Sequence, residues 1–344
     1  MREPMLGIDR LIDRIDALDN PSVVGLDPSL SMMPEALARE MYAEYGETPR
    51  AVAEMFFLYN RAILDAVADV VPAVKPQIAM YERYGIDGLA AYVRTCEYAA
   101  DKGLYVIGDI KRGDIASTAE AYAAHLAGAE IGSARVDLWR EDAITVNPYF
   151  GTDGIEPFAR ACRETGKSVF VLVKTSNASS AELQDLEVEE VPANVALRGK
   201  SAMGDVARAF AGLANMPLYE QVANYVEVWG NDLVGERGYS AVGAVVGATH
   251  PEVGRALRRA HPRMFFLVPG YGAQGASARD LAGFFDAGGR GCIVNSSRGV
   301  IAAWQRSVDG ETVTQPDAGR ALDTVAAAAR GAAQAMAAAL RQAR

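Results

Sequence analysis

The amino-acid sequence predicts an α/β chain folded as a (β/α)8 barrel. Short runs of β-branched and apolar residues recur along the 344 residues, and stretches with apolar residues at helical spacing separate them. Continuous apolar runs of this length are typical of strands buried on both faces of a parallel sheet. An open doubly wound sheet would carry G-x-G-x-x-G after its first strand, but that turn reads GLDPSL here. Eight strand-like runs therefore favour the closed barrel.

Each predicted strand ends in polar or small residues. In chain order the eight strands are predicted at residues 22–27, 73–78, 104–111, 143–147, 169–175, 242–249, 264–269 and 292–296. Predicted helices between them include 52–71, 88–101, 117–131 and 251–260, and a short amphipathic helix precedes the first strand. This alternation of strand and helix is typical of parallel α/β folds.

Two segments exceed what a plain barrel needs. The distance along the chain between the fifth and sixth strands is too long for one helix and two loops, so residues 185–230 are predicted as an insertion, helical around PLYEQVANYVEVW. Residues 316–344 are rich in alanine and predict a closing C-terminal helix. The whole chain, 1–344, is predicted to form one barrel domain.

Composition excludes several classes of protein. The net charge is −10 and no block rich in Lys or Arg is present, so nucleic-acid binding is not expected. The three cysteines lie far apart without a C-x-x-C pair, which argues against a disulfide framework or a cysteine-rich zinc site. No signal peptide is evident, and no apolar run reaches the roughly 18 residues of a membrane span. A cytoplasmic protein with no membrane partner is expected.

The segment GDIKRGDI, residues 108–115, places charged side chains at the end of the third predicted strand. Strand alternation points Asp109 and Lys111 to the same side, into the barrel mouth, and Asp114 follows in the turn. Lys75 on the second strand adds a positive charge, so two lysines and two aspartates would form a neutral network. Catalytic groups of such barrels lie at these strand ends. An ordinary salt-bridge cluster at the rim is the alternative.

A second group of residues indicates a phosphate site. The loop after the seventh predicted strand reads PGYGAQGA and contains Gln274, and the eighth strand is followed by Arg298. Glycines expose backbone N–H groups, and an arginine adds bidentate charge-assisted hydrogen bonds. Many barrels of this fold bind phosphate at this position. A phosphorylated substrate is therefore predicted, with a plain loop and a surface arginine as the alternative.

Six segments, taken in order, resemble the orotidine 5'-phosphate decarboxylase family, and in particular its longer-chain bacterial branch. GDIKRGDIAST at 108–118 resembles the family motif D-x-K-x-x-D-I-x-x-T, and VGLDPS at 24–29 resembles its first-strand segment. The other segments are VKPQIAMYERYG at 74–85, VKTSN at 173–177, VPGYGAQGA at 268–276 and VNSSRGVI at 294–301. The resemblance covers all but the insertion and the C-terminal tail.

The resemblance implies that Lys75, Asp109, Lys111 and Asp114 are catalytic residues in the decarboxylation of orotidine 5'-monophosphate to UMP, a step of de novo pyrimidine biosynthesis. Lys111 is expected to protonate C6 after carbon dioxide leaves, and Asp109 to lie against the substrate carboxylate. The family uses no cofactor and no metal for this reaction, so neither is expected here. The protein itself must then supply preorganised charge.

The resemblance also implies binding residues and a homodimer with shared active sites. Asp27 is expected to bind the ribose hydroxyls together with Lys75. Ser176 is expected to contact the pyrimidine, with Thr175 and Asn177 as open alternatives. Gln274 and Arg298 are expected to bind the phosphate, and the residues expected to reach into the neighbouring subunit's site are Asp114, Ile115 and Thr118.

Three other functions stay open at this point. A Mg²⁺-dependent sugar-phosphate decarboxylase or synthase of the same wider group shares the D-x-K-x-x-D core, but it has an acidic metal ligand where this chain has Lys75. A class I aldolase would use Lys174 to form a Schiff base. A non-catalytic nucleotide-binding barrel is the third, and the intact charged set argues against it.

Overall fold

The computed structural model describes residues 5–188, 216–272, 275–305 and 317–344. Within these ranges eight parallel strands close into a barrel, which confirms the predicted (β/α)8 fold. The barrel strands are β1 (Ser22–Leu26), β2 (Ala73–Pro76), β3 (Tyr105–Arg112), β6 (Ala143–Val146), β7 (Ser168–Lys174), β10 (Val242–Val246), β11 (Phe266–Val268) and β12 (Cys292–Ser296). Outside the barrel, β4 (Ala129–Ile131) pairs with β5 (Ala134–Val136), and β8 (Glu187–Val188) pairs with β9 (Met216–Pro217).

Helices alternate with the barrel strands. Those in the described ranges are α1 (Gly7–Leu18), α2 (Glu35–Tyr45), α3 (Pro49–Val67), α4 (Ile78–Glu82), α5 (Gly85–Asp101), α6 (Ala116–Ala127), α7 (Thr152–Thr165), α8 (Ala181–Gln184), α9 (Leu218–Trp229), α10 (Pro251–Ala260), α11 (Arg298–Ile301) and α12 (Ala318–Ala343). Short 3-10 turns lie at Leu30–Met32, Ala178–Ser180, Ala278–Phe284 and Ala303–Gln305. Local sequence sets several helix starts. The Thr48 hydroxyl accepts the Ala51 N–H ahead of α3, and Pro49 stands in its first turn.

The barrel closes where β1 pairs with both β2 and β12. Every residue of β1, β6, β10 and β12 is buried. Core side chains fill the inside of the ring, and helices cover the outside, so these strands have no polar face. This burial is the physical reason that the strands read as unbroken apolar runs in the sequence.

The predicted helix at 117–131 is wrong at its C-terminal end. Helix α6 ends at Ala127, because Gly128 takes a positive φ of 77° that stops the helix. The next residues form the β4–β5 pair, whose exposed apolar side chain Ile131 continued the helical pattern in the sequence.

The segment between β7 and β10 contains the predicted insertion. Helix α9 packs against both of these strands, which is the position of an ordinary crossover helix in a barrel. Ahead of it, β8 and β9 pair antiparallel and bring residues 188 and 216 together. Residues 189–215 lie outside the described ranges. The described part of the insertion therefore begins at Asp185, next to the end of β7, and ends with α9 packed against β7 and β10.

The C-terminal helix α12 begins where the Asp317 carboxylate accepts the Arg320 N–H at 2.9 Å. One face of this helix packs against α2 and α3 and carries buried alanines, among them Ala329 and Ala333. Arg330 anchors it further by donating to the Ala66 carbonyl and to Asp69. The helix is therefore part of the outer layer of the barrel.

The described residues carry three free, buried cysteines, Cys96, Cys162 and Cys292. Burial raises the pKa of Cys162 and of Cys292 to about 12, so these thiols stay protonated and unreactive. Across the described ranges, no helix combines the length and the apolar character that a bilayer crossing requires.

Candidate active site

A cavity of about 790 Å³ opens at the C-terminal ends of the barrel strands. Catalytic groups lie at this end in (β/α)8 enzymes, and the volume suits a small-molecule ligand. The predicted site residues that line the cavity are Asp27, Lys75, Asp109, Lys111, Ser176 and Arg298. Residues from all eight barrel strands or the turns after them thus converge on one space.

Lys75, Asp109 and Lys111 form one charged cluster in the cavity. The Lys75 ammonium donates to Asp109 Oδ2, and the Lys111 ammonium donates to Asp109 Oδ1. Lys75 and Asp109 are buried, whereas the Lys111 side chain is 44% exposed. The more accessible lysine is therefore the one that faces the open cavity.

Charge pairing keeps both Asp109 and Lys75 ionised. Burial acts to raise the pKa of the Asp109 carboxyl, but Lys75 and Lys111 beside it hold that pKa well below its usual range. Burial acts to lower the pKa of Lys75, but the charges of Asp109 and Asp27 raise it above the usual value. Asp109 thus stays ionised at pH values where a free aspartic acid is protonated. Within the cluster of Lys75, Asp109 and Lys111, one carboxylate lies between two ammonium groups, so these three groups together carry a net positive charge that suits an anionic ligand.

Two further side chains hold Asp109, and neither was predicted from the sequence. The Thr145 hydroxyl donates to Asp109 Oδ1 at 2.9 Å, and the Gln77 amide donates to Oδ2 at 3.0 Å. Each carboxylate oxygen therefore accepts two hydrogen bonds. Both residues line the cavity. Their signal in the sequence was weak, because polar residues near strand ends are common and the pairing of strands is not readable from one chain.

The backbone at Lys111 is held in an uncommon conformation. Its φ of 46° lies in the left-handed region, which residues other than glycine seldom adopt. The Lys111 N–H donates to Thr145 Oγ1 at 3.0 Å. One hydroxyl thus fixes the Lys111 backbone and the Asp109 carboxylate together. Local strain of this kind persists only where surrounding contacts determine it.

Asp114 lies apart from the cluster within its own chain. Its carboxylate accepts the Ile115 N–H at 2.7 Å, and neither residue lines the cavity. Ile115 is 51% exposed, and Thr118 is exposed one turn further along α6. The structure therefore brings together three of the four predicted catalytic residues, and it places the fourth at the surface beside the barrel mouth.

Asp27 directly follows β1 and lies on the wall of the cavity. Its Oδ1 atom is buried and accepts no hydrogen bond from the described residues. A buried carboxylate oxygen without a donor is costly. This atom is therefore suited to accept a hydrogen bond from a ligand hydroxyl.

The far side of the cavity carries the predicted phosphate residues. Gly270 and Tyr271, from the turn after β11, line it together with Ser297 and Arg298, which follow β12. Gly270 has a φ of 103°, a conformation that favours glycine and that turns the backbone sharply beside the cavity. The predicted ligand Gln274 lies outside the described residues.

Three polar residues after β7, namely Thr175, Ser176 and Asn177, line the cavity. They stand beside apolar side chains that also line it, among them Leu172 and Val245. An apolar wall with a few polar groups is typical of a small-molecule site.

Lys174 does not enter the cavity. Its side chain is 1% exposed, its ammonium pairs with Asp185, and it lies 5.5 Å from the centre of the Tyr219 ring. It is also absent from the cavity wall. A Schiff-base lysine must reach the substrate carbonyl, so this geometry disfavours the aldolase alternative.

A closed parallel barrel with a Lys–Asp–Lys cluster at one side of its mouth and a glycine turn beside an arginine at the other defines an enzyme for a small phosphorylated substrate. Comparison with known proteins narrows this class. Residues 58–312 match the Orotidine 5'-phosphate decarboxylase / HUMPS family. The match takes in well over half of the chain, and the chain belongs to this family.

Relatives match most of this chain over most of their own length. The chain is 40% identical over 301 residues to orotidine 5'-phosphate decarboxylase of Caldicellulosiruptor saccharolyticus, which covers 87% of this chain and 90% of the relative. It is 41% identical over 285 residues to that of Rhodopirellula baltica, covering 82% and 84%. The structure of Leishmania donovani OMP decarboxylase is similar with a TM-score of 0.64 at 28% identity, covering 98% of this chain and 99% of that one.

Proposed function

We propose that this chain decarboxylates orotidine 5'-monophosphate to UMP in de novo pyrimidine biosynthesis, without a cofactor. The family match and the names of the relatives support this activity. A cytoplasmic location belongs to the same proposal. The three free cysteines fit it, because disulfides form mainly in oxidising compartments.

The presence of a lysine at position 75 is the observation that favours the decarboxylase over the other members of the family. The family description also covers a second group, HUMPS, so the match alone does not choose the reaction. A Mg²⁺-dependent enzyme of the wider group would place an acidic ligand at this position. Here a buried ammonium paired with Asp109 stands there, and its charge opposes a divalent cation. The geometry therefore favours metal-free chemistry.

The charged cluster suits the loss of carbon dioxide from C6. Departure of carbon dioxide leaves an electron pair on C6, and the bond that forms next is C6–H. Lys111 is the accessible acid of the cluster, so it stabilises the developing negative charge and then donates the proton. Asp109 stays ionised and lies beside the substrate carboxylate, whose charge disappears as carbon dioxide leaves. Repulsion between the two carboxylates then eases along the reaction.

The rest of the cavity suits the remaining parts of the nucleotide. Asp27 with its unpartnered Oδ1 would accept the ribose hydroxyls together with Lys75. Ser176 would contact the pyrimidine, because the hydroxyl of Thr175 is already committed to Asn177 at 2.6 Å. Arg298 and the turn at Gly270 would bind the phosphate, with Gln274 as a further ligand. Binding of the phosphate supplies energy remote from the reacting carbon.

A homodimer with shared active sites completes the proposal. Asp114, Ile115 and Thr118 would enter the neighbouring subunit's site, since they lie at the surface of their own chain. Tyr149 and Phe150, 79% and 48% exposed, form an aromatic pair next to this segment. Exposed aromatic side chains of this kind are enriched at protein interfaces.

The test is an assay of purified protein. We expect the absorbance of orotidine 5'-monophosphate to change with turnover at the same rate with and without EDTA. The Lys111→Ala variant, with an unchanged circular dichroism spectrum, is expected to show no measurable turnover. Loss of activity on chelation would favour the Mg²⁺-dependent alternative. Absence of turnover by the wild type would favour the non-catalytic nucleotide-binding barrel.

A further inference from the structure

The loop after β7, residues 175–177, is held on one side by Gln184, the residue just before the insertion. The Thr175 N–H donates to Gln184 Oε1 at 2.9 Å, and Gln184 Nε2 donates back to Thr175 Oγ1 at 2.8 Å. The Thr175 hydroxyl in turn donates to Asn177 Oδ1 at 2.6 Å. One amide side chain thus satisfies both the backbone and the hydroxyl of the first loop residue. Gln184 itself does not line the cavity.

The opposite side of the same loop rests on the turn after β10. The Thr249 hydroxyl donates to the Ser176 carbonyl at 3.2 Å, and His250 Nε2 lies 3.1 Å from the Thr175 carbonyl. A carbonyl only accepts, so this ring nitrogen carries the proton. Gly247 packs so closely that a Cβ there would lie 2.8 Å from the Ser176 backbone. The loop is therefore clamped from two sides.

An ion pair between a buried lysine and a partly exposed aspartate fixes the residue next to Gln184. The Lys174 ammonium, 1% exposed, pairs with Asp185. The charge of a buried lysine must be compensated, so removal of this partner is costly. Tyr219, near the start of α9, lies against the same ammonium. Lys174 thus connects the end of β7 with the start of the insertion and with the helix that follows it.

We propose that Gln184, held by the Lys174–Asp185 pair, positions the base-contacting loop and so determines how tightly the site binds the pyrimidine. The start of the insertion at Asp185 would then contribute to base recognition by holding Gln184 in place. Polar groups recognise a base only when their geometry is fixed before binding, because reordering a loop on binding weakens affinity. This inference rests on the proposed function, since it names the base as the part of the ligand at this loop.

The experiment compares a ligand that has the base with one that lacks it. In Gln184→Ala, we expect the dissociation constant of UMP and the KM for orotidine 5'-monophosphate to rise roughly tenfold, about the effect of losing the net contribution of two hydrogen bonds. The dissociation constant of ribose 5-phosphate, which contacts only the other parts of the cavity, is expected to stay within about twofold. Leu183→Ala, an exposed neighbour in α8, is the matched control and is expected to leave all three constants unchanged.

A second variant separates positioning from general loosening of the fold. Asp185→Asn keeps the side-chain size but removes the charge that pairs with Lys174, and we expect the same selective loss of UMP binding. Equal weakening of UMP and ribose 5-phosphate in both variants would overturn the proposal, as would unchanged UMP binding. Wild-type protein that neither turns over orotidine 5'-monophosphate nor binds UMP would contradict the proposed function and this inference together. An active wild type with unaffected variants would contradict this inference alone.

Discussion

Asp109 is the residue that joins the other polar side chains of the site. Its two carboxylate oxygens accept from two ammonium groups, one hydroxyl and one amide. A carboxylate with every lone-pair direction occupied has little freedom to rotate. The Lys111 ammonium that it pairs with is therefore also held in one orientation. Preorganisation of this kind allows a charged site to act without rearrangement during the reaction.

Thr145 gives a direct test of this argument. Thr145→Val keeps the shape of the side chain but removes the hydroxyl that joins Asp109 to the Lys111 N–H. We expect kcat to fall by about 10- to 100-fold, since a hydrogen bond to a charged group contributes about 1.5–3 kcal/mol, with a smaller change in KM. Thr145→Ser retains the hydroxyl and is expected to stay near the wild-type kcat. Steady-state kinetics of both variants decide the matter, and a Val variant with wild-type kcat would show that Thr145 does not position the cluster.

The sequence predicted part of this cluster and not the rest. Strand alternation placed Asp109 and Lys111 on one side of β3, and Lys75 followed from its place on the adjacent strand. Thr145 and Gln77 were not predicted, because their role depends on which atoms meet across strands. The left-handed backbone of Lys111 was equally invisible, since nothing in GDIKRGDI marks a positive φ at a lysine.

Among the elements of the fold, the barrel strands were predicted most accurately from the sequence, because they are continuous apolar runs. Each of the eight predicted runs overlaps one barrel strand, and the run 292–296 coincides with β12. The ends of helices were predicted less accurately than the strands. The prediction for α6 ran past Gly128, because a short β pair with apolar side chains continued the helical pattern there. The helix predicted inside the insertion exists as α9, but its packing against β7 and β10 was not readable from its composition.

The alanine-rich helix α12 allows a matched test of packing. Ala333 is 1% exposed, whereas Ala335 on the same helix faces solvent. We expect Ala333→Leu to lower the free energy of unfolding by about 1–3 kcal/mol, because the added methylenes have no space. Ala335→Leu is expected to change it by less than about 0.5 kcal/mol. Urea denaturation measures both, and equal midpoints for the two variants would contradict the docking of α12 on the barrel.

The cavity of one chain contains three of the four predicted catalytic residues and lacks the fourth, Asp114. Asp114 lies outside the cavity of its own chain, beside exposed Ile115 and the Tyr149–Phe150 pair. The cluster of Lys75, Asp109 and Lys111 carries one negative and two positive charges. A second carboxylate from a neighbouring chain would neutralise the network and hold Lys111 from its exposed side. In the proposed homodimer, assembly of two chains would complete the charge pattern predicted from the sequence.

Mixing of inactive variants tests this assembly. Asp114→Ala and Lys75→Ala are each expected to be inactive alone. In a heterodimer, the chain with Asp114→Ala keeps its own Lys75, Asp109 and Lys111 and receives an intact Asp114 from its neighbour. Random exchange makes about half of the dimers mixed, each with one complete site, so roughly a quarter of the wild-type activity should return.

The matched control for this experiment mixes Lys75→Ala with Lys111→Ala. Both residues belong to the cavity of one chain, so no mixed dimer contains a complete site and no activity should return. Chains with different tags, resolved by native mass spectrometry, establish that heterodimers form. Heterodimers without recovered activity in the first mixture would mean that Asp114 acts within its own chain, and the turn from Arg112 to Ala116 would then have to move toward the cavity.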